Sequence, residues 1–449
     1  MNKKEFKAWM QQGLGRCALI LQKSDDKEAY RSTVLWGCLH ALSYDLQCEG
    51  TRAEYVYRLT AFFADRDYFL TPCIEAFSAL PPRRDELLAH LTDLLCCFAR
   101  DGSTRAKEAI LQRYEALLAV LTAKRRGGSY DYERDALERL AVALLSLDGD
   151  ALFLRVAANL GALFTENPRY GITDFDWLLS VMEEGGEGRL RARLGRAART
   201  SEAIAAFFRA CTSTEEEETA TAPRPAAAPT VEDITREVAA EGKLSPATRV
   251  RFARRADAMQ KRALAEAALK ETDPERRAAL LSPFAFRSGG FPLSHDPLIS
   301  DARSAHEGLR EVALHILEGC RSDTVMTFAE ELLAEGEHRA HALCMLLTNY
   351  TPQKKQALLR ELYATRVDYA NSTGWHGMDT HILATEAAGV KLPREFFLYV
   401  YHTTLCSHCR EAAVRLLAKH RWLTREVIEE GRYDSNADIA RYIARYYPE

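Results

Sequence analysis

The sequence predicts an all-α protein: an α-α superhelix toward the C-terminus and an N-terminal helical domain that continues or adjoins it. Three observations carry this. Apolar residues recur at helical spacing almost throughout, as in Leu87, Leu88, Leu91, Leu94, Leu95 and Phe98. No run of alternating apolar and polar residues marks a half-buried strand. A pattern also returns near the C-terminus: Arg310-x-x-Ala313-Leu314-x-x-Leu317, Arg339-x-x-Ala342-Leu343-x-x-Leu346 and Arg410-x-x-Ala413-Val414-x-x-Leu417. Its arginines stand 29 and then 71 residues apart, one period and about two. Self-similarity at a period of about 20–50 residues is the signature of stacked units that bury their faces against one another.

Taken in order, the first part reads as helices of roughly 10–20 residues separated by turn clusters. The breaks fall at Leu80-Pro81-Pro82, Arg126-Gly127-Gly128-Ser129, Asp148-Gly149-Asp150 and Glu184 to Gly188. Asp85 and Ser103 stand where N-caps are wanted. The segment 212–230 opens with Glu215 to Glu218, carries three prolines and has no large apolar residue, so it reads as a flexible linker. This gives an N-terminal all-helical domain at 1–211, the linker at 212–230 and a repeat domain at 231–449.

Beyond the linker, helices are expected at Val231–Ala240 and Pro246–Thr272, then an irregular stretch at Ser282–Pro297. Helix pairs follow. Thr324–Glu335 precedes His338–Asn349, Gln353–Thr365 precedes Met378–Ala388, Pro393–Thr403 precedes Arg410–Lys419, and Leu423–Glu430 precedes Asn436–Tyr446. An insertion at Val367–Gly377 accounts for the longer spacing. In each second helix the small Ala and the aliphatic positions mark the packed face, and the Arg one turn earlier suits carbonyls or carboxylates of an adjacent unit.

The Arg-x-x-Ala pattern, its period of about 30 residues and the closing Tyr433-Asp434-Ser435-Asn436-Ala437-Asp438-Ile439-Ala440 resemble HEAT-like helical repeats. The resemblance covers about residues 300–449. It implies a HEAT-like solenoid and is nearly silent on activity.

Composition bounds the rest. The chain has 449 residues, too many for one ordinary compact core. Sixty basic against sixty-four acidic residues leave a net charge of −4, so no global pull toward nucleic acid or anionic membrane follows. Met1 to Cys17 lacks a long apolar run, and no stretch is long enough to span a membrane. Eleven scattered cysteines fit buried thiols better than a disulfide framework. A cytoplasmic protein is expected.

Four clusters are candidates for chemistry. His402-x-x-x-Cys406-x-His408-Cys409 has zinc-type donors, but a second Cys pair is missing and a structural turn explains it. Asp45, Glu49, Arg52 and Tyr55 would line a small polar pocket; the alternative is a helix-loop-helix corner in which Glu49-Gly50 ends one helix and Thr51, with Glu54, opens the next as a capping box. Trp375, His376, Asp379 and His381 gather at the insertion. A Trp followed four residues later by Asp on such a scaffold resembles helical-repeat DNA glycosylases, which need a basic groove that this region lacks. Arg251, Arg254, Arg255, Lys261 and Arg262 fall mainly on one side of a helix, where a solvated face is the default.

No phosphate loop, His-Glu-x-x-His or nucleophile elbow is present in the sequence. The expectation is a non-enzymatic scaffold for a protein or peptide partner, with no cofactor and no metal assigned and no membrane contact. The alternative is a nucleic-acid-binding repeat protein of the glycosylase type.

Overall fold

The computed structural model describes residues 2–81, 85–123, 132–148, 150–166, 188–212, 228–286, 290–368 and 374–448. The described residues are all-α, with neighbouring helices packed in pairs and no strand. The first helices are α1 (Lys3–Gln12), α2 (Arg16–Lys23), α3 (Arg31–Cys38), α4 (Leu46–Glu49), α5 (Ala53–Thr60) and α6 (Asp67–Ala79). Next come α7 (Asp85–Arg100), α8 (Thr104–Ala123), α9 (Tyr132–Asp148), α10 (Asp150–Glu166), α11 (Arg189–Ala197) and α12 (Glu202–Thr212). The later helices begin with α13 (Val231–Glu241), α14 (Pro246–Arg255), α15 (Ala258–Lys270), α16 (Pro274–Leu281), α17 (Asp296–Ala302), α18 (Glu307–Leu317) and α19 (Asp323–Glu335). They end with α20 (Arg339–Thr348), α21 (Lys355–Asp368), α22 (Gly374–Ala387), α23 (Arg394–Thr403), α24 (Ser407–Lys419), α25 (Arg425–Gly431) and α26 (Ala437–Tyr446).

The chain divides into two compact units. One comprises Met1–Ala222, Leu405–His408 and Thr424–Glu449; the other comprises Pro223–Thr404 and Cys409–Leu423. The expected linker at 212–230 lies almost wholly outside the described residues.

In the first unit α7 is the hub, packed by α5, α6, α8 and α9. Its apolar face, Leu88, Leu91, Leu94, Leu95 and Phe98, is buried. Ser103 accepts a hydrogen bond from the Ala106 N–H as the N-cap of α8. α10 crosses α12 closely because Gly161 has no side chain: a Cβ there would stand 1.8 Å from the Ala203 carbonyl oxygen. The closing pair α25–α26, which the sequence reading places in the repeat domain, groups with the N-terminal helices. Arg16 is 3.0 Å from Glu430, the Ser435 N–H donates to the Gly13 carbonyl at 2.9 Å, and Arg58 donates to the Asp434 carbonyl at 2.9 Å. A Cβ on Gly15 would meet the Glu430 carbonyl oxygen at 1.8 Å, so this approach requires glycine.

In the second unit the helices pack both with their sequence neighbours and with the next helix but one. α17 packs on α18 and α19 on α20; α18 also meets α20, which meets α22, while α17 meets α19 and α21 meets α23. The helices thus pack in neighbouring pairs, with further contacts between every second helix. Ala313, Ala342 and Ala413 are fully buried, as are Leu314, Leu343, Val414 and the leucines one turn further on.

Three local expectations are corrected. Thr51 does not cap α5, whose N-cap is Arg52 with no side-chain cap bond; the Thr51 hydroxyl donates instead to Asp93. The stretch Pro246–Thr272 is two helices, because Asp257 accepts from the Gln260 N–H and starts α15 while Ala256 is extended. Arg251, Arg254 and Arg255 therefore sit on α14, and Lys261 and Arg262 on α15, with Arg262 paired to Glu266. Finally, α22 begins at Gly374, so His376 and Gly377 are helical rather than part of an insertion loop.

Candidate functional site

In the first unit the structure brings Asp45, Glu49, Arg52 and Tyr55 into one corner and spends them on structure. Asp45 caps α4, accepting from the Gln47 and Cys48 N–H groups at 2.9 and 3.3 Å. Gly50 ends that helix at φ 69°, a conformation that suits glycine. Glu49 and Arg52 form a buried ion pair at 2.8 Å. Glu49 also accepts from the Ser407 N–H, and Arg52 donates to the carbonyls of Gln11 and Leu405. The Tyr55 hydroxyl donates to the Leu14 carbonyl at 2.8 Å. These donors hold the chain crossings of the corner together.

The second unit treats the other candidates similarly. Asp379 is buried and paired with Arg366 at 3.0 Å, and Arg366 also donates to the Thr403 carbonyl. Burial raises the Asp379 pKa, with the Arg366 guanidinium opposing it. His381 is buried, its Nε2 within 3.0 Å of the Cys344 carbonyl and the Thr348 hydroxyl. The His376 Nδ1 lies 3.6 Å from the Cys409 Sγ. Trp375 lies on α22, its side chain outside the described residues. In the first unit the His408 Nε2 is 2.8 Å from the Cys48 carbonyl. His408 and Cys409 thus have separate partners.

Two further features emerge. In the first unit, α2 and α25 border an open groove of about 790 Å³. Half-buried Leu19, Ile20 and Tyr30 line its apolar side, and Arg425, Glu426 and Glu429 its charged rim. Glu429 pairs with Arg425 at 2.8 Å.

In the second unit, α18 and α20 bring two imidazoles and two carboxylates together. His341 Nδ1 is 2.7 Å from Glu318 Oε1, and its Nε2 is 3.4 Å from Glu311 Oε2. His315 Nδ1 is 3.7 Å from the same Glu318 oxygen, and the two rings stand edge to face with centroids 4.8 Å apart. Burial alone would raise the Glu318 pKa; the imidazoles of His315, His341 and His381 outweigh it and hold the carboxyl well below its ordinary value. His338, at the N-terminus of α20, sits in the left-handed region at φ 44°, which a non-glycine residue adopts rarely.

The sequence reading did not single out this cluster. A signal existed: Glu311 and His315 stand four apart on α18, Glu318 caps that helix three residues on, and His341 lies one position before Ala342. Aligning α18 with α20 by the repeat would have set them side by side.

No protein-family model, curated protein or solved structure matches this chain. Among the described residues, no helix is long and apolar enough to cross a membrane, and no disulfide joins the cysteines.

Proposed function

We propose that the chain is a HEAT-like, non-enzymatic scaffold whose first unit binds a segment of a protein partner. The observation that carries this reading is the groove between α2 and α25. Its volume lies in the range of ligand clefts, and its apolar side with a charged rim has the make-up of a peptide-binding surface. The buried pairs Glu49–Arg52 and Asp379–Arg366 support it from the other side, since both are engaged in holding backbone rather than presented to a substrate.

A photo-crosslinking amino acid at Ser24, on the groove's edge, tests the reading in native extract. One discrete protein adduct is expected, lost when Ile20→Glu places a charge on the apolar side. The proposal fails if no adduct forms, or if the adduct survives that substitution. Retention on duplex DNA that falls steeply with salt would favour the nucleic-acid alternative instead.

A further inference from the structure

Where α18 meets α20, three donor groups converge on one point at the surface of the second unit. One ligand atom from each of Glu311, His315 and His341 lies within 4.8 Å of the other two. Around a tetrahedral zinc ion, donors at about 2.0–2.2 Å from the metal stand roughly 3.4 Å from one another. His341 Nε2 and Glu311 Oε2 already have that separation, 3.4 Å.

The chemistry of His341 decides how this contact is read. Its Nδ1 lies 2.7 Å from the Glu318 carboxylate, which turns Nε2 toward Glu311 Oε2, 3.4 Å away. A proton on Nε2 would serve that pair alone, whereas a metal ion would also gather the His315 nitrogen. A carboxylate behind a ligating imidazole is the usual outer-shell arrangement, fixing the ring and raising its basicity.

Access agrees with this. The His315 and Glu311 side chains are 53% and 41% exposed, His341 16%, and Glu318 only 5%. The ligands are thus reachable from solvent while the orienting carboxylate is buried.

We propose that Glu311, His315 and His341 bind one divalent ion of the zinc class, with Glu318 orienting His341. Two nitrogens and one oxygen suit zinc, leaving a fourth position for water. Because α18 and α20 are successive helices of one row, the ion clips adjacent repeats together. This site is independent of the groove proposed above.

The test uses the full chain, stripped with a chelator and titrated first with cobalt(II) and then with zinc. One equivalent should bind, with the cobalt spectrum of a nitrogen and oxygen site, no thiolate charge-transfer band, and a zinc-dependent rise in Tm. His315→Ala and Glu311→Gln, at half-exposed positions, should each weaken zinc binding about tenfold or more while far-UV circular dichroism stays unchanged. Glu318→Gln should weaken it by a similar factor through its loss as the orienting carboxylate. Absence of stoichiometric binding, a thiolate band, or affinity unchanged in both exposed variants would overturn the proposal and leave ion pairs only.

Discussion

Glu49 in the first unit and Glu318 in the second make a controlled pair. Each stands at the C-terminal end of a helix, where the helix dipole disfavours a negative charge, and each side chain is almost completely buried. Glu49 is answered by a guanidinium and a backbone N–H; Arg52 also donates to two carbonyls. Glu318 is answered by imidazoles. A guanidinium has only donors and keeps its charge, so the Glu49 corner is closed. An imidazole has a second ring nitrogen beyond the one at the carboxylate, and that of His341 faces the half-exposed Glu311, so the Glu318 corner is open toward solvent. Burial and charge alone do not distinguish a joint from a site; what distinguishes them is whether the partner has anything left to offer.

The largest effect should come from breaking the closed corner. Arg52→Met leaves Glu49 buried without its cation and frees two carbonyls, a loss of about 3–5 kcal/mol in urea unfolding followed by circular dichroism. A loss below about 1 kcal/mol would mean that the Glu49–Arg52 pair does not hold this corner together.

Next is the packing that stacks the second unit. Ala342 is fully buried on α20, one position from His341. Ala342→Trp should cost about 1–3 kcal/mol and lower hydrogen-exchange protection across α18 to α22, while the N-terminal helices keep theirs. Unchanged protection there would show that the helices do not depend on close approach at this position.

These residues also show what was legible beforehand. Ala313, Ala342 and Ala413, with their leucines, were readable because helical periodicity records which face is buried. The Ser103 cap was readable because turn chemistry is local. Thr51 was misread because a partner 42 residues away, Asp93, outcompetes the local cap. The binding of α25–α26 to the N-terminal helices depends on Gly13, Gly15 and Arg58, which no short window connects to Glu430 or Asp434. His341 and Glu311 lie on different helices, so no short window connects them either. Local rules name the elements, and long-range partners decide the sites.

A histidine of the first unit sharpens the contrast by pH. His90 is buried on α7, its Nε2 3.1 Å from the Gly37 carbonyl. Burial lowers its pKa from 6.5 to about 4, with His40 adding slightly to the effect and the backbone carbonyls opposing it. The unfolded chain therefore takes up a proton that the folded chain refuses. This costs nothing well above pH 6.5 and destabilises increasingly as pH falls toward 4, the loss being about 1.4 kcal/mol by pH 5.5. Replacing His90 with Gln should flatten the dependence of stability on pH in that window. An unchanged slope would assign the acid sensitivity to other groups.

The smallest effect is the one that separates an open corner from a weak joint. With chelator present, Glu311→Gln removes a half-exposed carboxylate facing His341 across 3.4 Å. Exposed pairs of this kind are worth little, so stability should change by less than about 0.5 kcal/mol. The same comparison at saturating zinc should show a larger difference, because the ion stabilises only the chain that binds it. If Glu311→Gln costs as much without metal as with it, the cluster is an ion-pair joint like the Glu49 corner. A cost that appears only with zinc means that the lone pair of His341 is used by the metal, and that this corner remains open in the apo chain.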